Sequence, residues 1–229
     1  PLFSFLLTPG NPSQRTLDAL ERQTYPHWQM IERCSVPATT ASFAEAITTA
    51  QGDFVIPLAP GDTVSPNPLF ELAHAVKDHL QGDIFYTDED CLSEDGRTRR
   101  TPWLKPDFSP ELLLSVNYLK HACFRRSLLL QVLEKASSTG DLLLRGVENA
   151  RQVIHIPKIL YHTATQAFDL WGLNLTPEHL SAHLGRTGLH DVQAQLTPRG
   201  PRFSWTTNIP KISIIIPTKE NSPILRRCF

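Results

Sequence analysis

The stretch from Gly82 to Asn117 constrains the fold of this chain more than any other. It opens with the apolar run Ile84-Phe85-Tyr86, introduced by Gly82-Asp83, which has the aromatic and branched content of a buried strand. Directly behind the run come the acids Asp88, Glu89 and Asp90. Glu94-Asp95-Gly96 supplies turn chemistry, with Gly96 free to take a positive φ. Pro102 to Phe108 is punctuated by prolines and too irregular for a helix. A helix start follows, with Ser109 as N-cap, Pro110 in the first turn and Glu111 beside the positive helix end. Acids at the C-terminal edge of a strand are where open α/β sheets bind ligands. A solvated acidic hairpin is the alternative these residues leave open.

Around this stretch, strand and helix patterns alternate. Phe3 to Leu7 reads as a strand stopped by Thr8-Pro9-Gly10, followed by a helix from about Ser13 and a strand from Gln29 to Glu32. Phe43 to Ile47 reads as a short helix and Phe54 to Ile56 as a strand. A helix capped by Ser65-Pro66 then carries Leu69, Leu72, Ala73, Val76 and Leu80 on one face. Beyond Asn117 the pattern predicts a strand at His121–Phe124, helices at Ser127–Glu134 and Asp141–Ala150, and strands at Val153–Pro157 and Ile159–His162. This alternation predicts an α/β domain with a mainly parallel central sheet. A capped helix at Thr176 and a weaker β pattern through Val192 and Phe203 come next.

With 229 residues the chain can bury a full core, and 22 Lys+Arg against 23 Asp+Glu leave a formal net charge of -1. That balance argues against a nucleic-acid surface or a polybasic membrane anchor. The apolar runs are too short to span a bilayer. Cys34, Cys91, Cys123 and Cys228 lack zinc-site spacing and read as reduced cytosolic thiols.

The run Tyr86-Thr87-Asp88-Glu89-Asp90, with Asp95-Gly96-Arg97 and Trp103-Leu104-Lys105-Pro106-Asp107-Phe108-Ser109-Pro110-Glu111-Leu112-Leu113-Leu114-Ser115-Val116-Asn117-Tyr118 behind it, resembles a passage of the family-two glycosyltransferases. These are inverting enzymes of the bacterial polysaccharide and O-antigen type. The resemblance implies the GT-A fold, an αβα sandwich, and transfer from a nucleotide-sugar to a growing glycan or lipid-linked acceptor. It also implies a Mg²⁺ or Mn²⁺ ion held against the donor diphosphate, and a cytoplasmic location, with the inner face of the membrane as an alternative. Residues 1–168 then form the glycosyltransferase-like domain and 169–210 a linker. Lys211 to Asn221 repeats the strand–turn of the chain's beginning, so 211–229 reads as the start of a second glycosyltransferase domain, acting in cis. A stray edge strand is the alternative.

The family's donor and metal positions are only partly kept. Its acids after the third strand fall on Ala59, Gly61 and Asp62 here, so Asp62 alone remains as a donor and metal carboxylate, with His162 as a second, weaker ligand. Thr8, Pro9 and Gly10 take the donor-loop positions. The base position is occupied by Thr139, a neutral hydroxyl and so a poor base. Asp88, Glu89, Asp90, Lys105, Asp107 and Asp141 are intact and belong to the acceptor side or cleft. One carboxylate in three cannot hold Mg²⁺ tightly, so a divalent cation is doubtful and two outcomes stand. One is a transferase with an atypical site, the other a non-catalytic domain that binds acceptor or scaffolds the domain downstream.

Overall fold

The computed structural model describes residues 1–7, 13–31, 40–93, 95–164, 175–197 and 200–205, with Lys211, Ser213 and Ile215 beyond them. Thr8, Pro9 and Gly10, and nearly all of the expected second-domain start, lie outside the described residues.

The chain begins β1 (Phe3–Leu7), α1 (Gln14–Glu21), β2 (Trp28–Ile31), α2 (Thr40–Thr49), β3 (Phe54–Leu58), β4 (Thr63–Val64) and α3 (Pro68–Asp78). It continues β5 (Gly82–Leu92), β6 (Arg99–Trp103), α4 (Pro110–Leu113), β7 (Cys123–Arg125), α5 (Arg126–Leu133), α6 (Thr139–Asn149) and β8 (Gln152–Thr163). Last come α7 (Pro177–Arg186) and the antiparallel hairpin β9 (Val192–Thr197) and β10 (Gly200–Trp205). The central sheet runs β2-β1-β3-β7-β5-β8-β4, with β6 added on β5. Its long pairings, β1 with β2, β1 with β3, and β5 with β8, are parallel. The three-residue β7 runs antiparallel between β3 and β5 and stitches the two parallel blocks together.

Strand alternation sorts the core into two layers. Phe3, Phe5, Leu7, Phe54, Ile56, Leu58 and Phe85 share one face with Leu20 of α1 and Leu69 and Leu72 of α3. Leu6, Val55, Ile84 and Tyr86 share the other with Ile47 of α2, Leu128 of α5 and Leu142 of α6. Each fully buried side chain of this size contributes roughly 1.5–3 kcal/mol. The result is a helix–sheet–helix sandwich, the α/β class expected from the alternation. Leu180 of α7 joins Leu114 and Leu144 in a small third cluster, and Arg186 and His183 of α7 bind Glu148 of α6.

Several local expectations are corrected. The helix expected to start at Ser65-Pro66 starts at Pro68, because the second proline takes the first-turn position and Asn67 the N-cap. The acids expected to emerge past Tyr86 lie inside β5, which runs on to Leu92 because β8 pairs with it through Cys91. The two strands expected on either side of Lys158 are one, β8, with its register against β5 shifting beside Thr87 and Asp88. Pro157 lacks an N–H, so the ladder has to slip there. Cys91 and Cys123 are buried, and the Thr163 hydroxyl donates to Cys91 Sγ. Among the described residues no helix is long and apolar enough to cross a membrane.

Candidate functional site

Three consecutive acids of β5 each meet a different histidine. Asp88 Oδ1 is 2.9 Å from His155 Nε2, Glu89 Oε2 is 3.0 Å from His121 Nδ1, and Asp90 Oδ1 is 2.6 Å from His162 Nδ1. His155 and His162 come from the neighbouring parallel strand β8, and His121 from the turn before β7. The Lys105 backbone amide also donates to Asp88 Oδ1, at 2.8 Å, and the Lys105 ammonium donates to Glu89 Oε2, at 2.9 Å. His155 stacks on Tyr86, and the Tyr86 hydroxyl donates to the Pro106 carbonyl, which ties the proline-rich segment to the strand.

His121 carries the contacts one step further. Its Nε2 lies 2.9 Å from Asp62 Oδ2, and the other oxygen of Asp62 accepts from the Ala164 amide at 2.9 Å. Asp62, Glu89 and His121 are 3%, 7% and 4% exposed, so the group is closed off from bulk water. Burial alone would raise the Glu89 carboxyl, but the hydrogen bond from His121 and the charges of Lys105 and His121 outweigh it and hold it at about 2. Burial pushes Asp62 the same way, and the His121 bond and charge with the Ala164 amide bring it below its ordinary value. Both carboxylates are therefore ionised. Both ring nitrogens of His121 thus face a carboxylate, and the Lys105 ammonium meets Glu89 beside it.

The engagement of Asp62 decides the metal question. A hard divalent ion needs carboxylate oxygens whose charge is not already neutralised. Here the one acid left at the metal positions spends both oxygens on His121 and Ala164, and no group of three or more His, Cys, Asp or Glu among the described residues is arranged to hold a metal. Gly61, at another metal position, has φ 88°, a backbone state that disfavours any acid there. His162 is turned to Asp90 rather than joined with Asp62. The residues present do not fit Mg²⁺ or Mn²⁺.

The remaining expected residues are dispersed. Thr139 is the first residue of α6, behind its N-cap Ser138. Asp141 is buried and accepts from the Ser137 amide and hydroxyl and from Arg145 and Arg186, which makes it the anchor of that helix start. Asp107 is fully exposed, 3.6 Å from His155 Nδ1. His121 and His155 had no place in the sequence expectations. The signal that could have found them is their residue type close to a strand, which becomes informative only once β5 and its acids are placed beside them.

The sandwich with its mainly parallel central sheet is the GT-A fold, shared with the solved structures that follow. No protein-family model matches the chain. It is 34% identical over 91% of its length to the O-antigen biosynthesis protein RfbC of Myxococcus xanthus, of which it spans 17%. It is 27% identical over 99% of its length to the uncharacterized protein y4gI of Sinorhizobium fredii, of which it spans 30%. The chain therefore spans less than a third of either relative. Among solved structures, S. aureus TarS 1–349 in complex with UDP superimposes with a TM-score of 0.58 at 15% identity, covering 82% of this chain and 65% of that one. The mannosyltransferase PcManGT of Pyrobaculum calidifontis, in complex with GDP-Man and Mn²⁺, gives 0.50 at 14% identity, with 82% and 64% covered.

Proposed function

We propose that this chain is a glycosyltransferase domain of a longer polysaccharide-assembly protein, with a donor end that has lost its metal. It engages a nucleotide-sugar and a glycan or lipid-linked acceptor without a divalent ion, and by itself transfers sugar weakly or not at all. The observation that carries this reading is the engagement of both carboxylate oxygens of Asp62 within the protein. With its carboxylate committed to His121 and the Ala164 amide, nothing is left to hold a cation against a diphosphate. The identity to RfbC supports the polysaccharide setting, and the likeness to TarS and PcManGT supports the fold. Residues 1–168 make up the domain, 169–210 connect it, and a second glycosyltransferase domain begins near Lys211. The protein works on the cytoplasmic side, at the inner face of the membrane.

The chain's own residues suit holding an acceptor better than chemistry. A transferase must deprotonate the attacking hydroxyl, and Thr139 and Asp141 are both built into the start of α6. Asp107 is an exposed carboxylate 3.6 Å from His155 Nδ1, beside the acid–histidine row. It is placed to accept a hydrogen bond from a sugar hydroxyl. The second reading, a non-catalytic domain that scaffolds its neighbour, is favoured by the structural commitment of Thr139 and Asp141 to α6.

Calorimetry with UDP and GDP, with and without Mn²⁺, tests the proposal. Binding is expected to be weak and unchanged by the metal. Tight binding that requires Mn²⁺ would overturn the loss of the metal site.

A further inference from the structure

A cavity of about 300 Å³ opens between α1, the β4–β8 edge and the turn joining β5 to β6. None of Asp62, Glu89, Lys105 or His121 lines it. Three arginines line its wall, Arg15 from α1, Arg22 from the C-cap of α1 and Arg99 from β6, with buried His162 from β8 beside them. Among the described residues Asp18 is its one lining acid, and it already accepts a hydrogen bond from Gln14 Nε2 at 2.8 Å. Two further acids lie close by and are likewise engaged. Asp90 is held by His162 at 2.6 Å with Arg99 3.7 Å away, and Asp95, which feels the charge of Arg15, is bound by the Ser93 hydroxyl and the Arg97 amide.

The cavity is shaped by specific choices in the sequence. Gly96 sits at φ 67°, and a Cβ added there would fall 2.3 Å from the Arg15 guanidinium carbon. A bare glycine is what lets Arg15 lie flat against the hairpin. Ala19 keeps the α1 wall open between Arg15 and Arg22. Among the described residues, neither Arg15 nor Arg22 is in an ion pair. His162, with Nδ1 fixed on Asp90, has Nε2 as its remaining polar atom. Planar guanidinium forks are matched to the paired oxygens of carboxylates and phosphates.

We propose that this cavity is an oxyanion site that takes the phosphate or carboxylate of an acidic saccharide. Its volume is at the lower end of ligand pockets, which run from about 300 to 1,000 Å³. That suits one charged group with its sugar ring and is small for a whole nucleotide-sugar. Arg22 and Arg99 grip the anion from opposite walls, and His162 meets it from the floor. The saccharide carrier rests on the glycan-assembly reading above, whereas the anion site does not.

The test is calorimetric titration of the full chain with inorganic phosphate, with glucuronate and with neutral glucose, at low and at moderate salt. Saturable binding of at least one anion, none of glucose, and weakening by salt are expected. Phosphate binding alone assigns a phosphorylated ligand, and stronger glucuronate binding a uronic acid. The double variant R22A/R99A, at exposed positions, should weaken the anion at least tenfold, and R22K/R99K should restore it only in part because the fork is lost. Replacement of the distant Arg202 is the control and should change nothing. Absence of saturable anion binding, or equal binding by R22A/R99A, would overturn the site. Failure to bind UDP or GDP while the anion still binds would count against the donor reading alone.

Discussion

Tyr161 lies flat against His121, with ring centroids 5.3 Å apart and the planes 8° from parallel. The stack covers one face of an imidazole whose two ring nitrogens meet Asp62 and Glu89, and the ring is buried. This arrangement makes His121 the residue on which the acid network depends.

Replacing His121 by Ala leaves two buried carboxylates facing a void. Removing one partner of a buried ion pair costs about 3–5 kcal/mol, and His121→Ala is expected to destabilise by that amount. Urea denaturation at constant slope checks it; a loss under about 1 kcal/mol would contradict the dependence of the two buried acids on His121.

The same network makes the fold acid-labile. A carboxylate held below its unfolded value stabilises the native state where it is ionised, and that contribution is lost as pH falls from the unfolded value to the folded one. Glu89 is held at about 2 against an ordinary 4.5, so the loss runs from about pH 4.5 down to about 2. Asp83, whose burial is outweighed by Arg151 and Arg125, is also held at about 2 and adds to the loss from about 3.8 downward. The melting temperature should fall through this range, and Glu89→Gln should flatten the fall while lowering stability near neutrality. A melting temperature level between pH 5 and 3 would count against it.

The Ser109 hydroxyl accepts from the Leu112 amide at 3.1 Å, and Tyr118 Oη bridges the Ser109 amide and carbonyl. Ser109→Ala removes the cap but leaves the tyrosine bridge, so a cost of about 1 kcal/mol is expected. An unchanged denaturation midpoint would show that the bridge alone holds the turn.

Thr101 has φ 46° in β6, beside the register shift between Glu89 and Cys91. A branched residue is strained there, and Pro102 behind it narrows the choice further. Thr101→Gly should raise stability by about 0.5–1 kcal/mol. A thermal shift in the opposite direction would mean that the bulge is held by something other than backbone strain.

What could be read beforehand was local. The Ser109 cap, the strand at Phe3 and the helix at Thr176 each depend on residues within a few positions of one another, and each stands where it was expected. The acids of β5 were legible as residues but not as a site, because their partners come from 16 to 72 positions away. Asp62 was legible as the surviving carboxylate. Its commitment to His121 was not, since nothing near Asp62 announces a histidine 59 residues later. The shift of the α3 start from Ser65 to Asn67 had a local cause, two prolines competing for one helical position.

Asp62 is completed only from behind. His121 follows it by 59 residues and the Ala164 amide by 102. At synthesis rates of about 5–20 residues per second, Asp62 is made roughly 5–20 s before the amide that satisfies it. Through that interval an ionised side chain destined for the interior has no shelter, so the β3–β4 corner stays wet while the chain lengthens. Closing the β4–β8 seam is then a late, long-range event.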